Sequence, residues 1–222
     1  MHKYFELIRK IPLFSDIPYE KIPDALSYIR ATVIKFEKGK AIFREGEPVN
    51  RAGIILSGRA ELRKEDYHGN RSLLQTLNAG EMFGEALCCT DADTLPVGIY
   101  SAEDCVVLFF DCKGIIEEDI NGFDFQQILL KNLLIIIAQK NLFLRAKINL
   151  LSKRTTREKI MAYLLSEYKR TGKKEFDIPY DRQQLADFLG VERSAMSAEI
   201  GKLRRDGIIS ANKSHFCIIK YE

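Results

Sequence analysis

The sequence lacks the long apolar runs and the paired cysteines that mark membrane-spanning and disulfide-stabilised proteins. Its apolar stretches, such as residues 133–138, are far shorter than the roughly 20 residues that a membrane-spanning helix needs. Residues 1–10 contain no apolar core of a signal peptide. The five cysteines are an odd number without Cys-x-x-Cys spacing, which disfavours a disulfide framework and a zinc site. These absences predict a cytoplasmic protein with no membrane partner and no bound metal.

Motifs of catalysis are also missing from the sequence. It contains no nucleophile elbow, no glycine-rich phosphate loop and no cluster of metal-ligating residues. We therefore expect no enzymatic activity.

Basic residues are unevenly distributed along the chain. Residues 1–146 hold 18 Lys and Arg against 21 Asp and Glu, whereas residues 147–222 hold 16 against 10, a net charge of +6. Nucleic-acid binding depends on local rather than total charge. The last third of the chain is therefore the candidate for a contact with DNA.

The region 32–110 is divided by glycines into short apolar segments. Glycine occurs there as Gly39, Gly46, Gly53, Gly58, Gly69, Gly80, Gly84 and Gly98. Residues 60–63 and 73–77 flank the turn 68–70, which predicts a β-hairpin with Gly69 at positive φ. Only one short helical segment, residues 23–29, precedes these strands. The pattern predicts an antiparallel roll or barrel and excludes a parallel βαβ architecture.

From Phe123 to Leu151 neither glycine nor proline interrupts a helical pattern. The apolar seam of this helix, with one polar position, consists of Leu130, Leu134, Ile137, Asn141, Leu144, Ile148 and Leu151. This spacing is typical of a coiled coil, and a seam asparagine favours a two-stranded register. We predict that two copies of the chain pair here; the alternative is a single buried helix with an accidental period. A second stripe, Leu129, Leu133, Ile136, Phe143 and Leu150, is expected to face the β-rich domain.

The last third of the chain has the pattern of a winged helix-turn-helix. Capping boxes at Thr155/Glu158 and Asp181/Gln184 begin two helices, and Gly190 turns the chain into a third, residues 192–205. Strands at residues 208–210 and 216–220 follow, with a polar tip at residues 212–215. Ala186 is small where the helices cross, and Met196, Ile200 and Leu203 are expected to pack inward.

The outer face of this motif predicts a DNA-reading surface. Candidate base contacts are Arg193, Ser194, Ser197 and Ala198, and candidate phosphate contacts are Arg182, Gln183, Lys202, Lys213 and Ser214. Arg193 can donate two hydrogen bonds to a guanine edge, whereas phosphate contacts set orientation. The alternative is that these residues form the solvated face of a helical bundle.

On these residues the chain resembles the CRP/FNR superfamily of bacterial transcription regulators over essentially its whole length. The resemblance rests on residues 11–17, 38–39, 43–46, 56–58, 83–85 and 182–209. It implies a mixed α+β fold: a cyclic-nucleotide-binding-like β-roll (double-stranded β-helix) sensor domain (1–121), a dimerisation helix (122–151) and a winged helix-turn-helix DNA-binding domain (152–222). The implied partners are an operator in double-stranded DNA, a second copy of the chain, RNA polymerase and an effector of unknown identity.

The effector pocket implied by the resemblance departs from the cyclic-AMP-binding pattern. Its candidate residues are Phe83, Gly84, Glu85, Ala86, Leu95 and Pro96. In cyclic-AMP-binding members a glutamate like Glu85 holds a ribose hydroxyl, and an arginine about ten residues later holds the phosphate. Here no Lys or Arg occurs between Ser72 and Cys112, and a buried phosphate without a cation is strongly disfavoured. We expect an effector other than a cyclic nucleotide; the alternative is a cyclic-nucleotide-responsive regulator.

Iron–sulfur and haem cofactors are not expected. Oxygen-sensing relatives carry an N-terminal cysteine cluster, whereas the first cysteine here is Cys88. The histidines lie at the terminus, a hairpin tip and the wing, which disfavours an axial haem ligand. The pair Cys88 and Cys89 is a possible redox site, or two small buried apolar residues. Cys105 and Cys112 are predicted to face opposite sides of one strand and not to pair.

The third helix also departs from the family's better-known recognition patterns. Where relatives carry a glutamate and an arginine, this chain has Ser194 and Ala198, so no operator sequence can be transferred. Glu199 is charged where many relatives pack an aliphatic residue. A protein-interaction module that has lost DNA binding is the remaining alternative.

Overall fold

The computed structural model describes residues 4–65, 71–90, 94–116 and 124–220. The chain forms two compact units, Met1–Gln139 and Lys140–Glu222, and each contains a hydrophobic core. The domain bounds expected from the sequence, at 121/122 and 151/152, stay a prediction.

The first unit combines two antiparallel sheets with short helices. Its strands are β1 (Thr32–Phe36), β2 (Ala41–Phe43), β3 (Ala52–Ser57), β4 (Ala60–Glu65), β5 (Arg71–Leu77), β6 (Met82–Phe83), β7 (Gly98–Ser101) and β8 (Cys105–Phe110). Its helices are α1 (Phe5–Ile8), α2 (Ile22–Tyr28), α3 (Glu85–Cys88), α4 (Lys113–Ile116) and the first part of α5 (Asp124–Leu151). Two short 3-10 helices, Pro12–Phe14 and Tyr19–Lys21, lie between α1 and α2.

The two sheets have the strand orders β1-β8-β3-β6 and β2-β7-β4-β5. All of their described strand pairs are antiparallel, which confirms the predicted roll. The predicted hairpin is formed by β4 and β5, with Ala60 opposite Leu77. Its turn, including Gly69, lies outside the described residues.

Aromatic side chains fill the interior of the roll. The ring of Phe109 on β8 lies edge-on to the rings of Phe43 and Phe83, with centroids 5.6 and 6.3 Å away. Gly53 on β3 is required here, because a Cβ at this position would lie 2.2 Å from the Phe83 ring. The β3–β6 contact therefore depends on a residue without a side chain.

The first part of α5 closes this core. Phe125, Leu129 and Leu133 recur at a spacing of four residues and are buried. Asn132 is also buried, and its side-chain amide donates to the carbonyl oxygens of Leu13 (3.0 Å) and Ser15 (2.7 Å). A buried polar group is tolerated when it is hydrogen-bonded, so Asn132 ties α5 to the N-terminal segment.

The second unit contains the rest of α5, three further helices and a small sheet. These elements are α6 (Thr156–Thr171), β9 (Glu175–Asp177), α7 (Arg182–Leu189), α8 (Arg193–Arg205), β10 (Ile209–Asn212) and β11 (His215–Ile218). The sheet order is β10-β11-β9, and both pairs are antiparallel. Strand β9 was not expected, because the sequence indicated only that a helix ends near Gly172.

The wing strands differ in their bounds from the prediction. Strands were expected at residues 208–210 and 216–220, with a tip of four residues. Asn212 instead pairs with His215, so only Lys213 and Ser214 form the turn. Lys213 adopts a φ of +49°, which allows a turn this short.

The prediction that the second stripe of α5 faces one domain is wrong. Leu129, Leu133 and Ile136 belong to the core of the first unit. Leu150 is buried in the core of the second unit, and the ring of Phe143 lies 6.5 Å from that of Phe188. One part of the stripe therefore packs in the first core and the other part in the second core. The apolar period of a sequence does not show at which residue a helix passes from one core to the other.

Candidate nucleic-acid interface and sensor region

Helices α7 and α8 are joined by a turn that their capping residues define. The Asp181 carboxylate accepts from the Gln184 amide at 2.8 Å, and the Gln184 side chain accepts from the Asp181 amide at 2.9 Å, as predicted. The second predicted box, at Thr155 and Glu158, is likewise present. Gly190 ends α7 with a φ of +60°, a left-handed conformation that favours glycine. The turn therefore follows from local sequence.

Helix α8 has a buried face and an exposed face. Met196, Ile200 and Leu203 are buried in the second core, as expected from their spacing. The candidate contacts Arg193, Ser194, Ser197, Ala198 and Lys202 are exposed. The helix thus presents all of its predicted DNA-contacting residues to solvent.

Two of the candidates on α8 already have partners within the chain. The Ser194 hydroxyl donates to the carboxylate of Glu192, which caps the helix and also accepts from the Ala195 amide at 2.8 Å. These hydrogen bonds lower the pKa of Glu192, with the Ser194 hydroxyl as the largest cause. Lys202 pairs with Glu199 at 3.1 Å in the C-terminal half of α8. These contacts use one donor of each side chain, so the hydroxyl of Ser194 can still accept and the ammonium of Lys202 can still donate to DNA.

A cleft of about 680 Å³ collects five of the predicted DNA-contacting residues. Its lining consists of Ile178, Pro179, Tyr180, Asp181, Arg182, Gln183, Arg193, Lys213 and Ser214. The start of α7, the start of α8 and the wing turn thus meet at one surface. Three cations lie there, and its one carboxylate, Asp181, is occupied by the helix cap. Tyr180 was not predicted, because no local pattern distinguishes it from a core aromatic residue.

Arg182 is held in place within this cleft. Its guanidinium carbon lies 4.9 Å from the centroid of the Phe216 ring, a cation–π arrangement. Burial, and to a lesser degree the charge of Arg204, lower the pKa of Arg182. Its buried Nη1 atom has no hydrogen-bond partner among the described residues. The side chain as a whole is only partly buried, so its oriented guanidinium is suited to a phosphate oxygen.

Ion pairs that the sequence did not show explain why position 199 carries a charged residue. Its carboxylate lies 3.5 Å from the guanidinium of Arg157 on α6 and 3.1 Å from the ammonium of Lys202. Arg157 also reaches Asp206 at 3.0 Å. The charged residue therefore links α6 to α8 in place of an aliphatic contact.

The wing is connected to β9 through His215. Its ring nitrogens lie 2.8 Å from the Glu175 carboxylate and 3.1 Å from the Asp177 carboxylate. Both hydrogen bonds raise the pKa of His215, with Glu175 as the larger cause. Protonation of His215 therefore favours the β9–β11 contact.

This arrangement predicts a pH dependence of stability. Because the folded-state pKa of His215 is raised above 6.5, its contribution is fully present below pH 6.5 and is lost as the pH rises through the folded-state pKa. Urea unfolding of the wild type and His215→Gln should differ most in mildly acidic buffer and converge in alkaline buffer. Added salt should shrink the difference, because the pair is exposed. A difference that grows with pH would contradict the assignment.

In the sensor region, the candidate pocket residues lie around the start of α3. Gly84 precedes α3 with a φ of +77°, and the Glu85 side chain behind it is buried. Phe83 belongs to the aromatic interior of the roll. Ala86 and Pro96 are exposed.

Leu95 occupies the position where the resemblance implies a phosphate-binding arginine. Its side chain is buried, and its backbone exchanges hydrogen bonds with Gly46 (2.9 Å) and Glu47 (3.0 Å). Arg51 lies outside the Ser72–Cys112 stretch, and its guanidinium carbon is 5.1 Å from the centroid of the Phe109 ring. The core thus takes an apolar side chain where the related pocket needs a charge.

The cysteines are arranged differently from the prediction. Cys112 follows β8 rather than lying within it, and its side chain is buried. Cys105 lies on β8, where its thiol donates to the Arg59 carbonyl at 3.3 Å. Cys88 is buried at the end of α3, whereas Cys89 is half-buried. The error arose from extending the strand by two residues.

The predicted seam of α5 is largely exposed within the single chain. Leu134, Leu144 and Ile148 are 60%, 57% and 66% exposed, and Asn141 is exposed between them. Leu130 and Ile137 are partly covered by the first core. Exposed apolar side chains in a contiguous row indicate an interface.

The same helix is long and apolar enough to cross a membrane. This holds for Phe125–Leu151 by length and composition alone, and it concerns the described residues. It is weak evidence, because an apolar face that pairs with another helix meets the same criterion. The expected absence of a membrane partner stays a prediction.

Two family models match the chain, one in each unit. The cyclic nucleotide-binding domain matches residues 33–117, and the Crp-like helix-turn-helix domain matches residues 158–222. Together they span the roll and the DNA-reading motif.

Individual relatives match this chain over different shares of its length. The cyclic AMP receptor protein of Thermus thermophilus is 26% identical over 200 residues, 89% of this chain and 88% of that protein. The cGMP-dependent protein kinase 2 of Mus musculus is 25% identical over 123 residues, 55% of this chain and only 16% of the kinase. A solved structure, the c-di-GMP responsive regulator CLP of Xanthomonas campestris, matches with a TM-score of 0.60 at 17% identity, over 92% of this chain and 100% of that one. This last similarity supports the fold alone.

Proposed function

The chain belongs to the CRP/FNR superfamily of DNA-binding transcription regulators, and we propose that it acts as a homodimer that reads a pseudo-palindromic operator. The observation that carries the proposal is the cleft that collects Arg182, Gln183, Arg193, Lys213 and Ser214. The recognition helix is the predicted segment 192–205, observed as α8.

The cleft supports a division of roles between base and phosphate contacts. Arg193 is the first residue of α8 and is exposed, as expected for a side chain at the N-terminal end of a recognition helix in the major groove. Arg182 is oriented by Phe216, and Lys213 is exposed at the wing turn. We assign base reading to Arg193, aided by Ser197 and Ala198. We assign contacts with the phosphate backbone of DNA to Arg182 and Lys213.

Dimerisation is supported by the exposed face of α5. An isolated apolar face of this kind is unfavourable in water, and pairing it with a second copy removes it from solvent. Two copies related by a two-fold axis present two α8 helices, which suits two half-sites on one face of a duplex.

The effector that we propose is not a cyclic nucleotide. Support comes from the absence of Lys and Arg between Ser72 and Cys112 and from the buried Leu95. Iron–sulfur and haem cofactors form no part of the proposal. RNA polymerase is the proposed protein partner, the cytoplasm the proposed location, and the proposal involves no catalytic step.

Titration calorimetry tests the effector assignment. Cyclic AMP and cyclic GMP should show no saturable binding to the reduced protein at concentrations on the order of 1 mM. The physical reason is the energetic penalty of a buried phosphate without a cationic partner. Micromolar binding of either nucleotide, abolished by Arg51→Ala, would establish Arg51 as the missing cation and favour the cyclic-nucleotide-responsive alternative.

Selection of bound duplexes from a random pool tests the function itself. The full-length protein should enrich an inverted repeat whose half-sites lie about 10 base pairs apart, centre to centre, or a multiple of that spacing. Binding of the enriched duplex should be displaced by an excess of the same duplex but should survive an excess of unrelated DNA. A pool without any enriched sequence would refute the proposal.

A further inference from the structure

A glutamate stands at the N-terminal end of α8, where the DNA-reading residues of the proposed interface begin. Glu192 is the residue before α8, and its backbone is extended, with φ −71° and ψ 136°. Its side chain is exposed. The next residue, Arg193, is the first of α8 and lines the cleft together with Arg182 and Lys213. A negative charge therefore stands at the edge of a cationic surface that is assigned to DNA.

Hydrogen bonds hold the Glu192 carboxylate against the start of the helix. The carboxylate accepts from the backbone amide of Ala195 at 2.8 Å and from the hydroxyl of Ser194. Both of these bonds end on the same oxygen, Oε2. A carboxylate has two oxygens and about four acceptor positions, so the fixed group can accept a further hydrogen bond through Oε1. The helix cap thus orients the carboxylate without using all of its acceptor capacity.

The two other carboxylates of this region differ from Glu192 in their partners. Glu199 and Asp206 lie 3.5 and 3.0 Å from the guanidinium of Arg157. Within the part of the chain that the structure describes, no cation forms an ion pair with Glu192. The hydrogen bond from Ser194 is the main cause that lowers the pKa of Glu192. The group is therefore ionised, acts only as an acceptor, and is available to a ligand that donates.

The requirements of a helix cap alone do not explain a glutamate at this position. Ser, Thr, Asp and Asn are the preferred N-cap residues. Thr155 and Asp181 begin α6 and α7 in this way, whereas α8 is capped by Glu192. The longest of the three capping side chains thus occurs on the helix that is assigned to the major groove.

The base edges in the major groove differ in what they offer to a carboxylate. Cytosine presents a donor, its N4 amine, whereas guanine presents two acceptors and thymine presents an acceptor and a methyl group. Adenine presents a donor beside the N7 acceptor. DNA phosphates repel a carboxylate because both carry negative charge. A carboxylate at this interface is therefore favoured by cytosine over the other three bases and over the backbone.

We propose that Glu192 is a specificity-determining residue whose Oε1 atom accepts a hydrogen bond from the N4 amine of one cytosine in each half-site. A recognition helix directs its N-terminal residues toward base edges, and Glu192 stands at that end of α8. The proposal rests on the proposed function, in which α8 is the recognition helix. The sequence did not reveal this contact, because an acidic residue at a helix start is also a common stabilising feature.

The test is the selection of bound duplexes, repeated with full-length variants at Glu192 and analysed for the preferred base at each operator position. The wild type should prefer cytosine at one position of each half-site by roughly 5- to 150-fold. Glu192→Ser keeps an N-cap acceptor, but its short side chain does not reach a base. The preference at that position should disappear, while the preferences in the rest of the half-site remain.

Glu192→Gln should change the preferred base instead of removing the preference. For the cap to persist, the amide oxygen accepts from Ala195 and the NH2 group takes the place of Oε1, so an acceptor is replaced by a donor. Cytosine, with its donor edge, should then be disfavoured. Adenine, guanine or thymine should be selected there, since each of them presents an acceptor.

A charge-matched variant and a folding check complete the experiment. Asp206→Asn removes the same charge at the C-terminal end of α8 and should leave all base preferences unchanged. Far-UV circular dichroism reports whether each variant keeps its helices; if the serine variant does not fold, the glutamine variant still decides.

The outcomes separate this proposal from the proposed function. Unchanged base preferences in both Glu192 variants would overturn the role of Glu192 and leave α8 as the recognition helix. An equal rise in affinity for all duplexes would also overturn it, because Glu192 would then act only as a repulsive charge. A wild type that enriches no sequence would refute the proposed function, and this proposal with it.

Discussion

Replacing Arg193 with alanine is expected to lower operator affinity by ~1–3 kcal/mol for each half-site, roughly 5- to 150-fold. The physical reason is the loss of two hydrogen bonds to one base edge in the major groove. Arg193→Lys should keep much of the binding to unrelated DNA while losing the base preference, because an ammonium group cannot donate in the same two-pronged geometry. The measurement is titration of the selected operator and of single-base variants at fixed salt.

Two variants in the same unit separate base reading from charge. Lys213→Ala should weaken binding about equally for all sequences and reduce the slope of log K against log salt by about 1 for each phosphate that the lysine no longer neutralises. Lys169→Ala removes an exposed cation of α6 that does not line the cleft, so affinity should be unchanged. Equal operator binding by the wild type and an Arg182→Ala, Arg193→Ala double variant would instead favour a protein-interaction module.

Introducing charge into the α5 seam should abolish the dimer and, with it, operator binding. In the double variant Leu144→Asp, Ile148→Asp, four carboxylates would meet at a two-fold interface, where unpaired buried charge is strongly unfavourable. We expect dimer affinity to fall at least 100-fold, equivalent to about 3 kcal/mol. Sedimentation equilibrium measures the change in dimer affinity. The affinity of the variant for the full operator should fall to its affinity for a single half-site.

The design of this variant separates assembly from folding. Both side chains are more than half exposed within the single chain, so far-UV circular dichroism and the unfolding of each unit should change little. Asn149→Asp introduces a similar charge at an exposed position of α5 outside the seam and should leave the dimer intact. A dimer that persists in the double variant would show that α5 is not the interface.

How well each feature of this fold could be predicted depends on how far apart in the sequence its interacting residues lie. The capping boxes at Asp181 and Thr155 and the turn at Gly190 involve residues at most four positions apart, so the helix starts could be located closely. The antiparallel roll also followed from the spacing of glycines and apolar segments. Strand β9 could not be predicted, because Phe176 pairs with Phe216, 40 positions away.

The candidate interface was predicted as a set of residues but not as a surface. Arg182, Arg193 and Lys213 were selected for their places in a helix-turn-helix pattern. Their convergence on one cleft, and the stacking of Arg182 on Phe216, depend on how α7, α8 and the wing pack together. Pattern analysis also could not show that Ser194 and Lys202 already have partners, Glu192 and Glu199, within the chain.

The amino-acid sequence by itself determined most of the element types, the reading motif and the apolar period of α5, because hydrogen bonds and side-chain periods within a few residues encode them. Tertiary structure alone decided which distant groups meet. It gave Glu199 its partner Arg157 and divided one stripe of α5 between two cores. The reason is physical: such contacts form only when the buried surfaces of separate segments close upon one another, and no short window of residues contains both partners.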